Sequence, residues 1–257
     1  MSRFIITVLA ATLAAVFLQA GPASATNKDA VTAFRMTRLE LQDPQVLMPL
    51  GFFSYDMTRS VNYFINKQFH EDSSKTTYMD ASFLVIFDPM DQWTDEGVVE
   101  ISQAKCTFES NGRNCHLDTQ GKPATVFYTN MRSGTCAGVI NRTARWGRVT
   151  PVTGPCFFTE QATMGVDIAG INVMLEEAMV SARWNGEPAT KITGMLRGFL
   201  SQENAENTKM PRWAPIIGGR ALADVLDKKV LDFGPDGKTL GYWLYFNFDA
   251  YPVNLAE

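Results

Sequence analysis

Histidine is scarce in this chain: His70 and His116 are the only two, 46 positions apart. That scarcity excludes most His-built metal sites and leaves few places for a histidine general base. Motifs of established chemistry are also missing. There is no H-E-x-x-H, no G-x-S-x-G, no phosphate-binding P-loop and no dinucleotide glycine fingerprint, each of which encodes a geometry its reaction requires. A basic excess is lacking too. Lys and Arg number 23 against 27 Asp and Glu, for a net charge of −4, the wrong balance for a nucleic-acid binder. No metal or cofactor is expected on these grounds.

What is present describes a folded, exported protein. The 257 residues are 46% hydrophobic and 19% charged, a globular composition. Residues 1–25 follow the signal-peptide plan. Arg3 precedes an apolar run from Phe4 to about Ala20, Gly21-Pro22 breaks it, and Ala23-Ser24-Ala25 offers the small residues a signal peptidase accepts. No later stretch is apolar for long enough to span a bilayer as a helix. The expected location is periplasmic or secreted.

Export makes the four cysteines, Cys106, Cys115, Cys136 and Cys156, disulfide candidates. Three connectivities are open; the short loop-like segments between them favour Cys106–Cys115 and Cys136–Cys156. Without a C-x-x-C the spacing does not suit zinc. Gly134-Thr135-Cys136-Ala137-Gly138 resembles a nucleophile elbow only superficially, because strand-like, glycine-rich sequence surrounds it where a helix is required.

Patterning predicts an α+β, β-rich fold: a mainly antiparallel sheet with about three short helices and a disulfide-stapled, loop-rich insert. Ala33–Leu41 reads as a strand with a one-residue slip, Asp56–Phe69 as a helix capped by Asp56, and Thr76–Phe87 as a strand. Thr163–Leu175 alternates around Ala169-Gly170 as a hairpin, continuing through Val180, Ala182 and Trp184 after Glu176-Glu177. Ser201 caps a short helix, Arg220–Lys228 forms another, and Leu240–Tyr251 alternates most clearly of all. Residues 26–257 form one domain, read as two pseudo-repeated lobes (26–105 and 163–257) flanking the cysteine-bearing insert at 106–156. The resemblance of Ser82–Pro89 to Trp243–Pro252 motivates that division.

The functional expectation is an exported binding or envelope-associated protein without catalytic activity, with a small hydrophobic ligand or an envelope protein as partner. Trp93, Tyr242, Trp243 and Phe246 are the candidate ligand contacts. Phe52, Phe53, Tyr63 and Phe64 are further aromatics that would line an apolar cavity. The alternative is a secreted, glycosidase-like hydrolase using paired carboxylates, drawn from Asp88, Asp91, Asp95 and Glu96 or from Glu176 and Glu177. Asp72–Thr76 and Asp232–Gly237 resemble fragments of calcium loops but lack the full ligand set, and turns explain them.

Overall fold

The computed structural model describes residues 32–87, 96–118, 125–132, 149, 151–154, 156–168, 170–186, 189–212, 214 and 216–256. The signal segment lies outside them, as do Trp93, Cys136, Asp88, Asp91 and Asp95.

Thirteen strands are described. They are β1 (Thr32–Asp43), β2 (Leu47–Leu50), β3 (Phe53–Asp56), β4 (Phe83–Phe87), β5 (Glu96–Cys106), β6 (Asn114–Leu117) and β7 (Thr125–Arg132). The remainder are β8 (Cys156–Thr159), β9 (Ala162–Ile168), β10 (Ile171–Asn185), β11 (Lys191–Ser201), β12 (Asp232–Phe233) and β13 (Leu240–Ala256). Three helices accompany them: α1 (Thr58–Gln68), α2 (Gln202–Asn207) and α3 (Leu222–Val225).

Pairing turns the sheet into a ring. Following hydrogen-bonded neighbours gives β1, β4, β5, β7, β8, β10, β11 and β13, every step antiparallel. β13 then pairs back onto β1 from Ala33↔Val253 to Asp43↔Tyr245. This is an eight-stranded up-and-down barrel, and closure removes the sheet edges that an open sheet would expose. Eight strands leave an interior that side chains are able to fill. Here Phe34, Phe87, Phe157 and Trp184 meet inside it with ring centroids 4.9–6.0 Å apart.

The expected alternation in β13 places Tyr242, Leu244, Phe246 and Phe248 in the main core, while Trp243 and Tyr245 belong to a smaller cluster with Met179, Met195 and Cys156. The slip in β1 falls between Met36 and Arg38. β10 runs as one strand past an irregularity at Glu176–Met179, where Glu177 adopts φ 45°.

Several expectations shift. Ser201 caps α2 by accepting from the Asn204 amide, as read, but α1 begins beyond Asp56 with Met57 at the cap position. Asp56 instead accepts from the Thr58 amide. The strand expected from Thr76 starts only at Phe83, and Tyr78 contributes a single bridge to Thr107. The expected insert at 106–156 holds ordered strands: β7 is a stave of the barrel beside β5, and β6 lies parallel to the end of β13. β11 carries no clear strand signal in the sequence, because Gly194, Gly198 and Arg197 interrupt its apolar pattern. Both lobe-closing segments flank the same strand, with β4 on one side of β1 and β13 on the other.

Helix α1 completes the wall. β4 covers β1 only from Thr32 to Arg35, leaving the outer edge of β1 open beyond that point. Asn66 accepts from the Leu39 amide at 2.8 Å, and Asn62 accepts from the Leu41 amide at 2.8 Å while donating to its carbonyl at 2.9 Å. Two helix side chains thereby replace ladder partners that buried backbone groups require. Val61 and Ile65, a helical turn apart, turn the other face of α1 into the core.

Candidate functional site

Placed in the barrel, the candidate ligand contacts separate. Tyr242 and Phe246 are buried in the main core. Trp243 projects from the opposite face, where its indole donates to the Phe233 carbonyl at 3.3 Å and lies against the Phe199 ring and the Arg197 guanidinium. Trp93 lies outside the described residues. Of the further aromatics, Phe52, Phe53 and Tyr63 are at the surface, so they line no shared apolar cavity. Periodicity alone does not show which end of an aromatic run the fold will bury.

Cys106 and Cys115 are bonded and both buried. Cys156 is also oxidised. The bonded pair joins β5 to β6 beside the end of β13. The two calcium-like loops are turns: Asp72 accepts from the amides of Thr76 and Thr77, and Asp236 from those of Lys238 and Thr239. Bonds from the Thr239 hydroxyl and amide, then from the Lys238 amide, hold the Asp236 carboxyl below its ordinary value. Among the described residues no three His, Cys, Asp or Glu side chains group as metal ligands. His70 donates from Nε2 to the Thr37 carbonyl at 2.9 Å, and His116 stands edge-on to Tyr78.

Burial pushes the Tyr242 hydroxyl up to about 12, helped by the nearby carboxylates of Glu206, Asp224 and Asp227. The folded state therefore favours the neutral phenol, whereas the unfolded chain ionises near pH 10. Stability from this group is whole below about pH 10 and is lost as pH rises toward about 12. After allowance for solvent screening the loss should be about 1–2 kcal/mol. Tyr242→Phe should flatten the decline in urea midpoint over that alkaline range; an unchanged decline would remove Tyr242 as its cause.

Two large clefts among the described residues lie on the outside of the barrel. One, of about 1070 Å³, is walled by α1, the 71–82 segment, the end of β5, Asp118 just after β6, and the tip of the β9–β10 hairpin. Its two lysines are paired in place, Lys67 with Glu71 at 3.3 Å and Lys105 with Asp118 at 3.5 Å, and a further carboxylate, Asp167, accepts from the Gly170 amide at 3.2 Å. Asp80 is occupied by the Ser73 amide at 3.0 Å. Gln68, Gln103, Ser74 and Tyr78 supply neutral polar groups, and Ser82 has a buried hydroxyl with no hydrogen-bond partner. The other, of about 810 Å³, follows α1 and the open edge of β1 past Arg38, Glu40, Arg59 and Tyr63.

This arrangement suits recognition of a neutral polar ligand, with donors and acceptors interleaved around aromatic rings. The larger cleft draws on residues from Phe64 to Gly170, so no local motif announces it. In comparisons with protein-family models, curated proteins and solved structures, the chain matches none.

Proposed function

We propose that this is an exported, envelope-associated binding protein without a catalytic role, which takes its ligand on the outside of the barrel. The observation that carries the reading is the 1070 Å³ cleft, polar and without a basic excess, beside an interior occupied by the protein's own side chains. The disulfide between Cys106 and Cys115 is compatible with an oxidising compartment. The two lysines of the cleft are ion-paired and Asp80 and Asp167 accept from backbone amides, so its charges offer little to a charged ligand, and the two further carboxylates disfavour an anionic one. Amides and hydroxyls offer more to a hydroxyl-rich one, so a neutral saccharide is the preferred class.

The test is a thermal-shift titration of the mature protein with neutral oligosaccharides. A saturable rise in Tm that is lost in the Gln68→Ala/Gln103→Ala double variant supports the reading. No shift with any oligosaccharide overturns the saccharide assignment, and release of shortened sugars overturns the non-catalytic one.

A further inference from the structure

Among the described residues the most exposed apolar feature is a ribbon of two strands. β2 and β3 pair only with each other, from Leu47↔Asp56 to Leu50↔Phe53, and a two-residue turn of Gly51 and Phe52 closes the tip. Gly51 has φ 65° with nothing within 4 Å of where a Cβ would stand. A glycine at the first central position is the hairpin turn that matches strand twist. Around it Phe52 is fully exposed, with Phe53 65%, Tyr55 56% and Leu50 41% exposed. Residues 44–55 carry no charged side chain.

We propose that this ribbon inserts its tip into the surface of a phospholipid bilayer with zwitterionic headgroups. The tip is convex, the shape that parts headgroups. A protein partner would need to supply a matching pocket. Leucine and phenylalanine at the tip with tyrosine behind them follow the order of the membrane interface, apolar inward and amphipathic aromatic at headgroup level. Four strand residues span about 13 Å, enough to carry the tip past headgroups while the base stays in water. The base bears both signs: Asp56 ends β3 and Arg59 follows it in α1, and Lys228, Lys229 and Asp224 stand near where the Asp227 amide donates to the Gln45 carbonyl. A mixed-sign collar complements zwitterionic lipid, and the net charge of −4 disfavours an anionic surface. The inference is independent of the ligand cleft.

Cosedimentation with phosphatidylcholine–phosphatidylethanolamine vesicles tests it. The wild-type protein should sediment with vesicles at low and high salt alike. Moving each phenylalanine from water into acyl chains is worth at least about tenfold in partitioning, so Phe52→Ser/Phe53→Ser should reduce binding by about a hundredfold. Both side chains are exposed, so the thermal midpoint of the variant should match wild type. Failure of the wild-type protein to bind overturns the proposal, as does undiminished binding by the variant or abolition by salt. A wild-type dimer that the variant dissolves, without vesicle binding, reassigns the ribbon to a second copy of the chain.

Discussion

Phe248→Ala should cost about 3–5 kcal/mol of folding stability, the range for emptying a buried phenylalanine site, and Gly194→Val should cost about 1–3 kcal/mol on its own. The two residues face each other across β11 and β13. A Cβ added at Gly194 would stand 2.2 Å from the tip of the Phe248 ring and 2.9 Å from the Ala182 Cβ. β13 also forms the closing seam, where Phe248 pairs with Leu39 of β1. The glycine is therefore the socket for a ring that fills the barrel beside its seam. Combined, the substitutions should be less harmful than their separate costs suggest, with a coupling of about 1–3 kcal/mol, because the valine grows into space the ring vacates. Urea unfolding at constant m-value measures each term. Strict additivity would mean that the ring does not occupy that socket.

The same contact explains what the sequence disclosed and what it withheld. β13 and the β9–β10 hairpin were legible because one face of each is apolar and the pleat imposes period two. α1 was legible from its stripe, and α2 from Ser201. β11 was not, because its inward positions 194 and 198 are glycines shaped by Phe248 and Leu175 rather than by local propensity. Closure was hidden for a different reason. Pairing Ala33 with Val253 joins the two ends of the described chain, and no local signal encodes a contact at that separation. Thr76–Tyr78 shows the opposite error, a strand-like run that gains one bridge and otherwise turns around Asp72. Aromatic content suggests an apolar cavity lined by Phe52 and Phe53, yet both are exposed, because burial is decided by what packs on top.

Arg197 provides the second large effect, and two substitutions there should diverge. Its side chain is 5% exposed, within a row formed by Met179, Arg197, Tyr245 and Asp43 on four successive strands. One guanidinium nitrogen lies 3.0 Å from the Met179 sulfur, the group sits 4.8 Å from the Trp243 ring centre, and Nε has no hydrogen-bond partner. Burial lowers its pKa, opposed by Tyr245 and Glu177, yet guanidinium remains charged at any pH the fold survives. Arg197→Ala should cost about 3 kcal/mol through lost packing and the lost cation–π contact. Arg197→Met keeps most of the volume while removing an incompletely satisfied charge, so it should lie within about 1 kcal/mol of wild type or above it. Comparing their urea midpoints separates shape from charge. If methionine proves as damaging as alanine, the positive charge is what the row holds in place, and Tyr245 with Glu177 becomes its electrostatic counterpart rather than a bystander.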